Sequence, residues 1–542
     1  MARLKSRPST KAHREDDGAR HDLVFGLAGP VKTNLGWAGD ELEAQLRTVG
    51  YEDIVRIRIS ELIEGIASWL PLRDASSAPI MLRDNPEDER LDSYMEAGNA
   101  IRRMTKDPSI LAAYAIRSIS KDRDADPRPR ATIIHSLKTP AEVELLRRIY
   151  GVGFFLLGVS SPRDVREREL ADAIARGRGV TKSSRKAFSE IQQTAAKLVR
   201  KDEGEKSTFG QKLRETFHLS DFFLRLADDS TRSKEAATEE LRRFVELVMG
   251  NMEHTPRKDE YLMFQAYAAS LRSGALARQV GAALATIDGE VIGLGCNDVP
   301  RAGGGLYWPE DPDDDRDIRR DRDSSNALSE QMLDDMFGRL AEACLIPRIP
   351  ERAEVRRALR GSRMLSLLEF GRTTHAEMEA IESAGRVGVS VRGTTLFTTT
   401  YPCHECARLI LTAGIRRVVY VEPYPKSLAT DLHADGIRVE GEPSSTKTPR
   451  PVEFVPFVGV GPRRYMDLFS TITSTGERVE RKDENGYRMK WDAGKATPKM
   501  QLMKLSYLDM EKKTIEELGI KLSSFRRKSS DNRRRRTRHV KR

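Results

Sequence analysis

His375 stands two residues before Glu377, and Pro402 precedes Cys403 and Cys406, which are three positions apart. One imidazole and two thiolates are donors that zinc accepts, and three protein ligands leave a fourth position open for water. A carboxylate two residues past the histidine can stand beside such a metal without binding it. It can take a proton from the water and pass it to a ring nitrogen and then to a leaving amine, which is general acid–base work. The metal lowers the pKa of its water to near neutrality, so hydroxide is available at about pH 7. The competing reading is a redox CxxC with an unrelated histidine. His375, Cys403 and Cys406 are thus the expected metal ligands, and Glu377 the expected catalytic group.

Holding these groups together takes strands and helices in a particular order. TTLFTTT (394–400) reads as a strand that ends just before Pro402. PCHECARLILTAG (402–414) reads as a helix with proline at its start, a position where the missing N–H costs nothing. The positive end of that helix favours thiolate over thiol. THAEMEAIESA begins a second helix, and RRVVYVE (416–422) is a following strand. Upstream, residues 259–274 read as a helix, and AALATI and EVIGLGCN as a hairpin turned at Asp288-Gly289. Cys296 and Cys344 have no partner at ligand spacing and are expected to be packing residues, with His404 pointing to solvent.

The pattern H-x-E with P-C-x-x-C is that of zinc nucleobase deaminases, in which hydroxide attacks C4 of cytosine. Residues 258–440 resemble the deoxycytidylate deaminase family more specifically. Beyond the zinc residues, RSGALARQVGAAL (272–284) and GLGCNDVPRAGGGLYW (293–308) look like that family's opening helix and substrate strand. The resemblance implies a mixed sheet with helices on both faces. It also implies that Asn297 bonds the deoxyribose and that Gly303, Gly304 and Gly305 lie near phosphate.

At the other end of the chain, DLVFGLAG (22–29), a helical stretch, and IVRIRIS (54–60) give strand–loop–helix–strand, the opening of a parallel α/β sheet. ATIIHSL, PAEVELLRRIY and GFFLLGV repeat the pattern within residues 131–159. GLAGPVKT (26–33) nearly fits the phosphate-loop spacing, with Gly26, Gly29, Lys32 and Thr33 in place. Val31 stands where the last glycine belongs, and Pro30 has no N–H to donate, so catalysis by this loop is doubtful while nucleotide binding is plausible. Residues 22–230 resemble the P-loop nucleotide-kinase-like half fused to the deaminase in bacterial anti-phage dCTP deaminases, in the same order. That family converts dCTP to dUTP, and often dCMP to dUMP, depleting a DNA precursor. A hydrolase acting on a cyclic amidine is the enzyme implied, with Zn2+ and with Mg2+ on the nucleotide. A homo-oligomer and a regulatory nucleotide or RNA inhibitor are the implied partners.

The fold class expected is α/β: an N-terminal P-loop-kinase-like parallel sheet and a C-terminal cytidine-deaminase-like α/β/α domain. The expected units are a leader (1–20), a kinase-like domain (21–230), a linker (231–257) and a deaminase domain (258–445) with an insertion at 300–365. A C-terminal extension (446–524) and a disordered basic tail (525–542) follow. The chain of 542 residues carries a net charge of +10. The tail alone holds ten Lys/Arg and one Asp, so the body is close to neutral. No run of about 18 apolar residues predicts a membrane span, and the polar N-terminus predicts a cytoplasmic protein. With four cysteines, a disulfide scaffold is excluded.

Three functions compete. A free-nucleotide deaminase fits the substrate segment and the near-neutral body. An RNA or DNA deaminase fed by the basic tail would need basic and aromatic platforms, whereas PEDPDDDRDIRRDRD (309–323) is acidic. A nucleotide-sensing regulator with an inactive deaminase half has no chemical need for the full zinc and glutamate set.

Overall fold

Three apolar runs, LVFGLA, RATIIH and FFLLGVS, form adjacent parallel strands in the computed structural model. The structure describes residues 21–125, 129–205, 207–321, 323–359, 362, 371–421, 427–441, 446–473, 476, 478–500 and 507–521. The leader and the basic tail lie outside them. The strands are β1 (Leu23–Ala28), β2 (Asp53–Arg58), β3 (Arg130–His135), β4 (Phe154–Ser160), β5 (Phe222–Arg225), β6 (Gly281–Ala285), β7 (Val291–Cys296), β8 (Thr395–Thr398), β9 (Arg417–Tyr420), β10 (Ile437–Val439), β11 (Val452–Pro456) and β12 (Gly459–Val460).

The first sheet has the order β12-β5-β4-β1-β3-β2. All pairings are parallel except β12 on β5. Every residue of β1, β3 and β4 is buried, as expected of strands covered on both faces. Alternate residues divide between two cores. Val24, Ile134 and Leu156 join one with Ile101, Leu111 and Ile116. Phe25, Ile133 and Phe155 join the other with Leu42, Leu46 and Phe244.

Phe244 belongs to the helix Thr231–Val248, which also buries Leu241, Val245 and Val248. The expected linker at 231–257 is therefore mostly core. Its charged residues mark the outer face of an amphipathic helix, not a solvated connection. β5 likewise lies inside the stretch 162–255 that reads as helical.

β3 ends on His135, which is only 6% exposed. Burial first, then the charges of Arg58 and Arg56, pull its pKa from 6.5 down to about 4. The unfolded chain therefore binds the proton first, and stability rises with pH across the window from 4 to 6.5. At about pH 5 this one group costs roughly 2 kcal/mol. His135→Gln is expected to shrink the difference between urea midpoints measured at neutral and acid pH, and an unchanged difference would contradict the assignment.

The second sheet has the order β10-β11-β9-β8-β6-β7. β6 pairs antiparallel with β7 and β8, and the other pairings are parallel. One face packs on the helices Ala376–Arg386 and His404–Ala413 through Ala380, Ala407 and Ile410. The other meets Leu262, Met263 and Ala266 of the helix Lys258–Ser270. The fold class is thus α/β, with an N-terminal parallel sheet and a C-terminal α/β/α layer.

The segment after residue 446 serves both units. β11 completes the second sheet, and β12 then adds to the edge of the first. Further on, Tyr507 donates to Asp22 and Tyr150 donates to Glu511, which ties the helical residues 507–521 to the N-terminal unit.

Candidate metal centre

His375 caps the helix Ala376–Arg386 and Cys403 caps the helix His404–Ala413. Two helix N-termini therefore converge on one point, which suits anionic ligands. His375 Nδ1 lies 3.2 Å from Cys403 Sγ and 3.3 Å from Cys406 Sγ. The donor atoms of all three residues lie within 4.8 Å of one another, the only group of this kind among the described residues. One nitrogen and two sulfurs at these separations fit a zinc ion with one position left open.

A hydrogen bond from Cys406 and the proximity of His375 overcome burial and draw the Cys403 thiol down to about 4. That thiol is a ready ligand at neutral pH. The Cys406 thiol, bonded to Cys403 and buried, is pushed up.

Glu377 is 3% exposed. One carboxylate oxygen accepts from Thr398 Oγ1 at 3.0 Å, and the other lies 3.4 Å from Cys406 Sγ. Burial, then the negative charge of Cys403, raises its pKa. A carboxyl held up beside a metal cluster can both take and return a proton. Thr398 is absent from the sequence expectations. Its signal was the alternation in β8, where Thr398 shares a face with Leu396, towards the helix that carries Glu377.

That helix can lie close because β7 contains glycines. A Cβ on Gly295 would meet Ala376 O at 2.2 Å, and one on Gly293 would meet Ala380 O at 2.3 Å. The same strand leads to Asn297 and Asp298. Asp298 pairs backbone to backbone with Thr374, the residue before His375. Asn297 is thereby brought beside the centre. Its Oδ1 accepts from Val280 N at 2.7 Å and its Nδ2 donates to Arg278 O at 2.8 Å, so it braces the 278–280 turn.

Gly303, Gly304 and Gly305 all have positive φ, at 91°, 106° and 77°. Gly304 and Gly305 line a recess with Arg301, Glu379 and Arg386, and none of the metal-type residues lines it. The acidic stretch is not an open negative patch. Asp314 pairs with Arg316 and Arg319, Asp315 with Arg320, and Arg372 reaches both Asp315 and Asp317. Arg372 lies three residues before His375, so these pairs fasten the insertion to the segment that carries the ligand.

Cys296 is buried as expected, and burial pushes its thiol up to about 11. Cys344 is exposed, against expectation, because it sits in a left-handed turn that ends the surface helix Ser324–Glu342. His404 is half-buried beside Glu405. In the N-terminal unit, Gly26 lies within β1 and not in a loop, where a Cβ would meet Leu137 Cδ1 at 2.5 Å. Gly29, Lys32 and Thr33 line a cavity at the carboxyl end of the first sheet.

Residues 256–422 match the family described as the cytidine and deoxycytidylate deaminase zinc-binding region. This part of the chain is therefore a deoxycytidylate-deaminase-type zinc-binding domain. Among similar proteins, the deoxycytidylate deaminase of Enterobacteria phage T2 is 45% identical over 53 residues, 10% of this chain and 28% of that protein. The probable deoxycytidylate deaminase of Drosophila melanogaster is 32% identical over 131 residues, 24% of this chain and 55% of that protein. The chain thus spans from about a quarter to about half of the length of these relatives. A dCMP deaminase from cyanophage S-TIM5, in complex with dCMP and dUMP, aligns over 33% of this chain and 91% of its own, with 19% identity and a TM-score of 0.20. A gluconokinase from Sinorhizobium meliloti aligns over 42% and 97%, with 15% identity and a TM-score of 0.19.

Proposed function

We propose that the protein is a zinc-dependent hydrolytic deaminase of free deoxycytidine nucleotides, converting dCTP to dUTP and dCMP to dUMP. The observation that carries this is the cluster of His375, Cys403 and Cys406 with Glu377 buried against it. His375, Cys403 and Cys406 would hold the zinc, which supplies an activated water at neutral pH. Glu377 takes a proton from the attacking water, gives one to the ring nitrogen N3, and delivers one to the departing ammonia. Thr398 keeps the carboxylate turned towards the cluster. Asn297 Oδ1 has a second lone pair with which to accept from the sugar hydroxyl.

The zinc-type region and the phage, insect and other deoxycytidylate deaminases it resembles support the nucleotide class. The triphosphate, with its magnesium, and a role in starving an infecting phage of dCTP follow from the fused kinase-like half. Assembly into an oligomer and control by a nucleotide or an inhibitory RNA belong to the same reading. Among the described residues no helix is long and apolar enough to cross a membrane.

The test is ammonia release from dCTP, dCMP, single-stranded DNA and RNA, each offered to the full-length chain. Turnover of a mononucleotide and not of polymer is expected. Release from polymer alone would overturn the proposal. Within it, the ratio of dCTP to dCMP turnover decides the triphosphate. A lowered cellular dCTP pool on expression is expected if the defence role holds.

A further inference from the structure

The N-terminal cavity, about 530 Å³, opens where β1 and β4 end. Their onward connections run to opposite sides of the sheet, which is the place where open α/β sheets take ligands. One end is lined by the loop 29–36 and by Lys138, the other by Ile59, Ile63, Met95 and Leu111. A charged head and an apolar body would both find a wall here.

The loop's donors are already engaged within the chain. Val31 N–H donates to Asp202 Oδ2 at 2.7 Å. Lys138 Nζ bridges Gly29 O at 2.9 Å and Asp202 Oδ1 at 2.8 Å. Lys32 Nζ is held by Glu87 Oε1 at 2.7 Å. Thr33 N–H turns back to Pro30 O, and Trp37 N–H turns to Asn34 Oδ1. A carboxylate on a loop N–H with two lysines in reach is the arrangement a phosphate oxygen would have.

Meanwhile, three polar atoms in the cavity wall have no partner. They are Thr33 Oγ1, His135 Nε2 and Gln211 Oε1, on residues 7%, 6% and 7% exposed. Buried polar atoms are rarely left so, and each is costly until a ligand meets it. Asp202 itself sits in the last turn of the helix Arg185–Glu203, followed by Gly204. A negative side chain at a helix C-terminus is disfavoured by the helix dipole, so only the loop contacts favour the position it takes.

We propose that this cavity is a second ligand site for a phosphate-bearing molecule, held shut by the Asp202 carboxylate, which occupies the donors of the 29–33 loop that phosphate oxygens would take. Glu87 does the same for Lys32. Opening requires both carboxylates to withdraw, because they would repel the anion. The inference stands apart from deamination and needs no metal.

The probe is inorganic tripolyphosphate, titrated calorimetrically into the full-length chain. Asp202→Asn keeps the shape and removes the charge, and is expected to bind the probe at least about tenfold tighter than wild type. Glu87→Gln is expected to bind tighter as well, and to decide the matter if a thermal melt shows Asp202→Asn unfolded. Lys32→Ala placed on either variant should return binding to the wild-type value. Variants that bind no tighter than wild type, or a gain that survives Lys32→Ala, would overturn the proposal.

Discussion

Glu377→Ala is expected to keep its full complement of zinc and to lose turnover by a factor of roughly one hundred to ten thousand, the range general acid–base groups contribute. Its carboxylate oxygens are met by Thr398 and Cys406, and it lies outside the His375, Cys403 and Cys406 donor set. Glu377→Gln is the sharper variant. It fills the same buried space and can keep the bond from Thr398, yet it cannot exchange a proton. Equal losses in the two variants would assign the effect to proton transfer and not to a void. His375→Ala and Cys403→Ser should instead lose the metal, because each removes one of three donors. Metal content by elemental analysis and ammonia release on the same preparations separate the two outcomes. A metal-free Glu377→Gln would show that the carboxylate is a ligand, and the division of roles argued above would fail.

The chemistry was legible in the sequence because ligand spacing and helix starts are local. Proline before Cys403 and a polar cap at His375 are properties of a few adjacent residues, and the structure places them at two helix N-termini. What surrounds them was not legible, for the opposite reason. Thr398 touches Glu377 across 21 residues, and Arg372 reaches Asp315 across 57. Nothing in a one-dimensional pattern says which of several threonines or arginines closes such a gap. The acidic run at 309–323 misled in a related way, since its charge is cancelled partly from outside the run. The phosphate loop shows the limit most clearly. Lys32 and Thr33 fit the motif, but Asp202, which occupies the loop, lies 171 residues from Val31. The helix Thr231–Val248 was hidden by its charged outer face. β12 was hidden because two residues carry no periodicity.

The unforeseen junction between the two sheets yields the other large effect. Glu260 begins the C-terminal unit and is fully buried, and Arg243 grips it at 2.8 Å through each of two nitrogens. The same carboxylate accepts from Arg257 N at 2.7 Å and from Val460 N at 2.8 Å. One side chain therefore joins the helix Thr231–Val248, the helix Lys258–Ser270 and β12. Gly459 has φ +118°, and a Cβ there would come within 2.6 Å of Glu260 Oε1, so the strand approaches only as glycine. Glu260→Ala would leave a buried guanidinium and two backbone N–H groups unpaired. A loss of about 3–5 kcal/mol is expected, the usual consequence of removing one partner of a buried pair. Asp259, one residue earlier, pairs with Arg417, and both side chains are 33% exposed. Asp259→Ala should cost less than about 1 kcal/mol, because solvent screens that pair. Urea unfolding of both variants measures the contrast, and amide exchange at Val460 reports whether β12 has left the first sheet. Similar stability losses in the two variants would mean that the junction is held by apolar contact alone. A protected Val460 amide in Glu260→Ala would mean that β5 holds the strand without the carboxylate.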